Sequence, residues 1–259
     1  MRRLLLVGYG ALAYLLFLGV FAYTVGFLAN AVVPRGIDEG PAGPLPVAIA
    51  VNAALLGLFA VQHTVMARPG FKRWWTRFVP PSIERSTFVL AASLSLVLVV
   101  RLWQPMPETV WPVESGWLRV GLWGLYGLGW VTVVGSTFMI DHFELFGLSQ
   151  VVARARERAH VPPPFRLTML YAFVRHPIMV GFLIAFWATP DMSQGRLLFA
   201  ALGTGYILLG VRFEERDLRA SLGDTYRRYE AEVPRFVPRF ARPHEGAPVD
   251  DGVPVAQDG

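Results

Sequence analysis

The chain contains no cysteine. Disulfide bonds, zinc–thiolate centres and a cysteine nucleophile are therefore excluded. Charged residues are also scarce, at 17% of the 259 residues, whereas 54% are hydrophobic. With a mean hydropathy of +0.43 and several long uncharged runs, the chain is too apolar for an ordinary soluble domain. The composition predicts an all-α, polytopic membrane protein built as a helical bundle.

The net charge of +5 raises the question of a nucleic-acid partner. The basic residues, however, fall in short loops between apolar runs, a pattern typical of cytoplasmic loops that face anionic lipid. We therefore expect membrane lipid as a partner and no nucleic acid.

Apolar runs that predict spanning helices occupy residues 4–33, 47–66, 86–103, 117–140, 178–189 and 197–211. The first is about twice as long as the apolar region of a signal peptide, so we interpret it as a span. The last two are short and flank a predicted turn at residues 190–195, which makes them a hairpin. We expect about six spans, or five if the hairpin counts as one. Residues 167–174 are apolar but too short to cross, and they predict an interfacial or re-entrant helix.

The loops predict the orientation of the chain. Six spans place both termini on one side, together with the basic loops at residues 68–85 and 154–175. The loop at residues 104–116, on the other side, has no lysine or arginine. The positive-inside rule makes the basic side cytoplasmic. Residues 1–240 then form a single domain, and residues 241–259, with proline, glycine and acidic residues, predict a disordered tail.

Ionisable residues flank the predicted hairpin. Arg175, His176 and Pro177 precede its first leg, and Glu214 and Glu215 follow its second. An antiparallel hairpin brings both groups to one end, and ionisable groups at a membrane boundary indicate a candidate site. The alternative is that Arg175 only marks the cytoplasmic edge and that the two acids form surface pairs with neighbouring arginines.

Pro177 suits the first turn of a helix, where free N–H groups and the positive helix dipole attract anions. Gly181 leaves room for a ligand or a neighbouring helix to approach. An anion site that faces two acids suits a zwitterion such as S-adenosylmethionine. We expect Arg175 and the helix start to bind its carboxylate, and Glu214 and Glu215 to bind its ammonium group or ribose.

A wider pattern contains these residues. Its members are Arg175-His176-Pro177, Gly181, Glu214-Glu215, Leu218, Gly223, Tyr226, Tyr229 and Val233-Pro234. Their combined spacing resembles the carboxyl-terminal signature of the membrane methyltransferases, which include isoprenylcysteine carboxyl methyltransferase and the phospholipid N-methyltransferases. The resemblance implies an S-adenosylmethionine site within residues 175–240 and no metal. Met179 departs from the pattern, because those enzymes usually have tyrosine there.

Motifs elsewhere indicate one branch of that superfamily. They are Gln62-His63, Met66-Ala67-Arg68, the segment at residues 141–147 and the segment at residues 182–190. Together with Met179 they resemble the nurim-like branch and, within it, the bacterial methanethiol S-methyltransferase family. This resemblance implies methylation of methanethiol to dimethyl sulfide, with S-adenosylhomocysteine as by-product. The topology places the candidate residues, and hence the active site, at the cytoplasmic face.

A thiol attacks as its thiolate, so a nearby base or positive field would help. His176 is the first candidate base by its position, and His63 and His142 are alternatives. Asp141 or Glu144 could orient a histidine or accept a proton. His63 as a helix-end residue and His142 as an interfacial residue are the structural alternatives.

The substrate implied by the resemblance is a small, volatile and apolar thiol. It could enter from the bilayer into a pocket lined by Met179, Phe182 and Phe186. Three other functions remain open: methylation of a lipid or prenyl-cysteine substrate, a non-catalytic nurim-like membrane protein, and haem binding. Haem binding requires two of the histidines at 63, 142 and 176 to face each other across the bundle.

Overall fold

Helices dominate the computed structural model, which describes residues 2–161 and 169–238. The predicted tail at residues 241–259 lies outside the described residues, as do Leu167 and Thr168 of the predicted interfacial helix. The remainder of that helix contains a short 3₁₀ turn at Met169–Ala172.

The helices, in chain order, are α1 (Arg2–Ala29), α2 (Leu45–Met66), α3 (Pro69–Trp75), α4 (Pro81–Leu102), α5 (Gly116–Ile140), α6 (His142–Leu145), α7 (Leu148–Ala155), α8 (Pro177–Trp187), α9 (Gln194–Leu222) and α10 (Asp224–Glu232). Proline opens α3, α4 and α8. Its fixed φ suits the first helical turn, where its missing N–H is not needed. These prolines mark helix starts that hydrophobicity alone cannot locate.

Within the described ranges, five helices (α1, α2, α4, α5 and α9) are long and apolar enough to cross a membrane, at 22 to 29 residues each. Helix α8 has 11 residues and is about 16 Å long, which is shorter than a hydrocarbon core of about 30 Å. The protein is an integral membrane helical bundle. The predicted hairpin combines one full-length helix with one short helix.

Helix α9 extends beyond the apolar run that predicted it. The run ends at Val211, but the helix continues through Glu214 and Glu215 to Leu222, and Gly223 follows with a φ of +55°. Glycine adopts this left-handed region without strain, which makes it a common residue after a helix end. Hydrophobicity marks where the membrane ends, whereas capping residues mark where the helix ends.

A small sheet accompanies the predicted helical bundle. Strand β1 (Thr109–Pro112) pairs antiparallel with β2 (Asp191–Ser193), so the predicted loop at residues 104–116 lies against the predicted turn at residues 190–195. Arg119 adds two hydrogen bonds to the Asp191 carboxylate, at 2.7 and 2.6 Å. Strands of three or four residues are too short for a period-two pattern to reveal them.

Two glycines allow α8 to pack closely against α5. A Cβ on Gly181 would lie 2.7 Å from the carbonyl oxygen of Gly129, and a Cβ on Gly129 would lie 2.7 Å from the carbonyl oxygen of Gly181. Only residues without a Cβ permit this approach. Of the two possibilities for Gly181, the structure shows the approach of a neighbouring helix. The contact fixes the short helix within the bundle and so determines where Pro177 lies.

Candidate active site

The Glu215 carboxylate is the centre of a buried charge cluster. Glu215 has no exposed surface, and it accepts hydrogen bonds from Arg175 Nη2 at 2.8 Å and Arg175 Nε at 3.1 Å. Arg175 Nη1 donates to the carbonyl oxygens of Glu230 at 2.8 Å and Val233 at 2.7 Å. Four donor contacts thus hold the guanidinium to other parts of the protein.

Three more side chains complete this cluster. Arg235 donates to both carboxylate oxygens of Glu215, and Arg219 Nη2 lies 3.5 Å from Oε2. His176 Nε2 lies 3.2 Å from Oε1. Below, the Glu215 cluster means Glu215 with Arg175, His176, Arg219 and Arg235. Its protein partners surround the carboxylate, so Glu215 ties α8, α9 and the segment after α10 together.

Backbone hydrogen bonds fix the same segment against the start of α8. The Arg175 N–H donates to the Pro234 carbonyl oxygen at 2.9 Å, and the His176 N–H donates to the Arg235 carbonyl oxygen at 3.3 Å. The hairpin hypothesis predicted that Arg175 and His176 would meet Glu214 and Glu215, and the structure brings them together. It also explains how Val233-Pro234 takes part in the signature, because this segment lies along the start of the short helix.

The polar groups of Glu214 and Tyr226 are less fully bonded to the described residues than the Glu215 carboxylate is. The Glu214 side chain is 48% exposed, and its Oε2 lies 3.6 Å from His176 Nδ1. Tyr226 is 1% exposed, yet within the described residues its hydroxyl has no hydrogen-bond partner. Burial raises the pKa of Tyr226, and the negative charge of Glu215 raises it further. The hydroxyl therefore keeps its proton at neutral pH and can donate to a ligand.

His63 lies in a different setting. Its ring packs against Phe59, Phe88 and Tyr206, with centroid distances of 5.4, 4.8 and 6.4 Å. In the part of the chain that the structure describes, the buried Nδ1 of His63 has no partner, and the same is true of Oε1 of its neighbour Gln62. Unpaired buried polar atoms are rare and indicate a ligand, a water or a functional role.

One face of α9 connects His63 with Glu214. Tyr206, Gly210 and Glu214 follow one another at four-residue spacing, which places them on the same side of the helix. Tyr206 contacts the His63 ring. A Cβ built on Gly210 meets nothing within 4 Å. The face of α9 between the two ionisable groups is therefore open.

His142 is held by hydroxyl groups on both sides. Its Nδ1 lies 2.7 Å from Thr137 Oγ1 and its Nε2 lies 2.7 Å from the Tyr14 hydroxyl. Its ring stacks on Phe138 at a centroid distance of 4.1 Å. Burial lowers the pKa of His142, and the nearby Asp141 carboxylate opposes that shift. The histidine thus links α1 to α5 and α6.

Asp141 and Glu144, the other two candidates near His142, also form hydrogen bonds within the protein. Asp141 Oδ1 accepts from the Glu144 N–H at 3.0 Å, which is the N-cap interaction of α6. Glu144 accepts from Gln150 at 2.8 Å and pairs with His160, also at 2.8 Å. His160, which was not among the candidate residues, thus contacts one of them.

The candidate bases therefore do not form one constellation. No hydrogen bond, ion pair or ring contact among the described residues joins any two of His63, His142 and His176. A haem held between two of them has no support in this arrangement. The described residues also contain no group of three or more histidine and acidic side chains that could hold a metal ion.

The predicted substrate-pocket residues lie on α8. Phe182 packs edge-on against Trp130 at 5.7 Å, and Phe186 packs edge-on against Phe199 at 5.1 Å. Met179 is half-buried and lies in the first turn of the helix. A cavity beside Phe186 has a volume of only about 10 Å³, enough for roughly one water molecule. Phe182 and Phe186 thus fill the core in this conformation.

Known proteins resemble nearly the whole chain. It is 56% identical over 238 residues to methanethiol S-methyltransferase of Mycobacterium tuberculosis, an alignment that covers 92% of this chain and 98% of the relative. It is 51% identical over 231 residues to methanethiol S-methyltransferase of a Pseudomonas species, with 89% of each chain covered.

The chain belongs to the methanethiol S-methyltransferase family. It is also 31% identical over 209 residues to nurim of Sus scrofa, covering 77% of this chain and 76% of nurim, which confirms the resemblance to the nurim-like branch. No protein-family model and no solved structure matches the chain.

Three features of this methanethiol S-methyltransferase family member were missed by the sequence analysis. They are Arg235 in the Glu215 cluster, the unpaired hydroxyl of Tyr226 and the open space at Gly210. Tyr226 already belonged to the signature, but residue type and position do not reveal whether a hydroxyl group is hydrogen-bonded. Nothing in the local sequence distinguishes Arg235 from the many other arginines nearby.

Proposed function

We propose that this protein transfers a methyl group from S-adenosylmethionine to methanethiol, which yields dimethyl sulfide and S-adenosylhomocysteine. The observation that carries the proposal is the 56% identity to a methanethiol S-methyltransferase over 98% of that relative. We place the activity at the charge cluster at one end of the membrane helix bundle, beside a half-exposed carboxylate.

The residues at the start of α8 fit the methyl donor. The N–H groups of Ile178 and Met179, in the first turn, have no acceptor within the helix and suit a carboxylate. Glu214 offers a carboxylate for an ammonium group or a diol, and Tyr226 offers a buried, protonated hydroxyl. When bound, S-adenosylmethionine supplies a methyl group already activated by its positively charged sulfur.

We assign Arg175 and Glu215 a positioning role. Both are engaged with the protein, and Glu215 is fully buried. They hold the start of α8 against α9 and so set the distance between Glu214 and His176. His176 lies between the two acids, 3.2 Å from Glu215 and 3.6 Å from Glu214, and completes the wall of the donor site. Pro177 and Gly181 contribute through the helix start and its packing.

His63 is the better candidate for the group that takes the thiol proton. Both nitrogens of His176 face a carboxylate, and those of His142 face hydroxyls, whereas Nδ1 of His63 is unpaired. In the tautomer protonated at Nε2, this nitrogen accepts a proton. The thiol S–H proton would move to it, leaving a thiolate in an apolar, water-poor setting.

The open face of α9 at Gly210 gives the neutral thiol a route to His63, so that the proton is transferred and the thiolate reacts at one place and does not travel as an anion. A small apolar substrate needs no charged recognition group along such a route. The aromatic side chains around His63 keep water away from the nucleophile.

We also place this site at the cytoplasmic face. Arg68, at the end of α2, forms an ion pair with Asp217 near the end of α9 at 2.8 Å. Arg3, near the start of α1, pairs with Glu157. The basic loops thus lie at the same end as the Glu215 cluster, which supports a cytoplasmic site under the positive-inside rule.

Membranes that contain the protein, supplied with methyl-labelled S-adenosylmethionine and methanethiol, test the proposal. Labelled dimethyl sulfide in the gas phase, absent without methanethiol, is the expected result. Label that remains in lipid would instead indicate that the substrate is a lipid or a prenyl-cysteine. Membranes that bind no S-adenosylmethionine would show a non-catalytic protein.

A further inference from the structure

An apolar groove lies between α1 and α4, away from the residues of the proposed methyl-transfer site. It has a volume of about 270 Å³ and is open to the outside of the bundle. Its walls are formed by side chains such as Leu15, Val20 and Tyr23 on α1 and Val97 and Val100 on α4. Both helices are long enough to cross the membrane, so hydrocarbon chains of the bilayer reach this groove.

A glycine makes the groove deep. Gly19 lines it, and a Cβ built on Gly19 meets nothing within 4 Å. This position therefore does not serve close packing of α1 against α4, unlike Gly181 against α5. Gly19 instead keeps an open volume between two helices that pack together elsewhere.

Arg101 lies at one end of the groove. It belongs to the last turn of α4, lines the groove and is exposed. Its carbonyl oxygen accepts from Arg35 at 3.2 Å. Its guanidinium, in contrast, makes no hydrogen bond or ion pair with another described residue. An arginine at the end of a spanning helix reaches the headgroup level, where its planar fork suits a phosphate.

We propose that this groove is a binding site for one phospholipid, with an acyl chain between α1 and α4 and the phosphate on the Arg101 guanidinium. The charge distribution favours a phospholipid over a helix of a second copy of the chain. The groove has the Arg101 cation at one end and apolar walls elsewhere, which matches a phosphate joined to an acyl chain. Arg101 lies in the last turn of α4, whereas Arg85, the last residue of the basic segment at residues 68–85, lies near the start of that helix. The lipid therefore belongs to the leaflet away from the methyl-transfer site, and its binding does not depend on the proposed activity.

Native mass spectrometry of the full chain, titrated with phosphatidylglycerol in detergent, tests the site. The wild-type protein should bind one molecule more tightly than further ones. Arg101→Gln removes the phosphate partner, and Gly19→Leu fills the groove. Arg101→Gln should weaken that first binding step by roughly tenfold, since a hydrogen bond to a charged group contributes about 1.5 kcal/mol or more. Gly19→Leu should also weaken it, because the leucine side chain occupies the space of the acyl chain.

Gly8→Leu is the matched control, because Gly8 is on the same helix, is equally open and does not line the groove. It should bind phosphatidylglycerol as the wild type does. The proposal is overturned if Gly8→Leu weakens binding as much as Gly19→Leu, or if Arg101→Gln binds with wild-type affinity. It is also overturned if the wild type is a dimer that Gly19→Leu dissociates. If one variant unfolds, the other variant still tests the proposal, because Arg101→Gln affects the contact with the phosphate and Gly19→Leu affects the contact with the acyl chain.

Discussion

Arg175 and Glu215 are 40 positions apart in the chain, yet the Arg175 Nη2 and Glu215 Oε1 atoms lie 2.8 Å apart. The side chains are 7% and 0% exposed, so water cannot replace either partner. A buried ion pair adds little to stability by itself, but removal of one member leaves an uncompensated charge. The pair therefore acts as a geometric constraint, because it forces the start of α8 to meet α9 beside Glu214.

Glu215→Gln should destabilise the protein by about 3 to 5 kcal/mol, the usual cost of breaking a buried ion pair. Three arginines would lose their shared carboxylate. Thermal unfolding of the purified protein in detergent measures the change.

Glu214→Gln is the matched control, since the neighbouring side chain is half-exposed. It should leave the unfolding temperature close to wild type and weaken S-adenosylmethionine binding in calorimetry. Equal stability of the two variants would contradict the separate roles of the two acids.

Glu214 and Glu215 also show how much of the candidate site could be predicted from the sequence. From the sequence, Glu214 and Glu215 were predicted to act as one pair of ligand-binding acids. Successive helical residues point about 100° apart, so one side chain enters the Glu215 cluster and the other faces outward. The spans and the meeting of Arg175 with Glu215 were predictable, because apolar length and an antiparallel hairpin determine them.

Contacts between distant segments were not predictable in this way. The Tyr14 hydroxyl lies 2.7 Å from His142 although the residues are 128 positions apart. Neither residue has a local pattern that selects the other. The same limitation applies to the pairing of β1 with β2 and to the unpaired nitrogen of His63, which depends on the packing of α2, α4 and α9.

His63→Gln should lower turnover with methanethiol by about 10² to 10⁴, the usual contribution of a general base, with little change in the KM for S-adenosylmethionine. The defect should shrink as pH rises, because a thiol with an ordinary pKa of about 8.5 or above ionises without help. Initial rates measured across that pH range provide the test.

His160→Gln is the control for His63→Gln, since His160 pairs with Glu144 and lies outside the proposed site. Its turnover should be close to wild type. Wild-type turnover in His63→Gln at neutral pH would remove His63 from the mechanism.

Gly210→Leu should place a side chain in the open face of α9 between Tyr206 and Glu214. We expect the KM for methanethiol to rise by at least roughly tenfold, since a small apolar substrate is sensitive to single methylene groups in its path. Gly205→Leu is the matched control on the same helix, because a Cβ there also meets nothing within 4 Å. Steady-state kinetics on both variants distinguish a blocked route from a general effect of leucine on α9.

Gly181→Ala should destabilise the bundle by about 1 to 3 kcal/mol, as overpacking usually does. Its Cβ would lie 2.7 Å from the Gly129 carbonyl oxygen and 2.8 Å from the Val133 nitrogen, so α5 and α8 must separate. Gly135→Ala on α5 is the control, because that position is open and alanine is the better helix former. A Gly181→Ala protein that unfolds at the wild-type temperature would contradict the close approach of the two helices.

His142 should make stability depend on pH. Burial lowers the pKa of its imidazole, so below the ordinary histidine value of about 6.5 the unfolded chain binds a proton that the folded protein excludes. Stability is therefore complete above that pH and decreases as the pH falls towards the lowered pKa of the folded state. Unfolding temperatures at about pH 7.5 and about pH 5.5 bracket this range.

His142→Gln retains a side chain that can bond Tyr14 and Thr137 but cannot titrate, so it should show a smaller decrease between the two pH values. Glu230 does not interfere, because the hydrogen bond from Arg219 lowers the pKa of that carboxyl below its ordinary value, and its contribution is lost only at more acidic pH. An equal decrease in both proteins would show that the proton is taken up elsewhere. The hydroxyls around His142 would then have to accommodate the charged imidazole at no cost in stability.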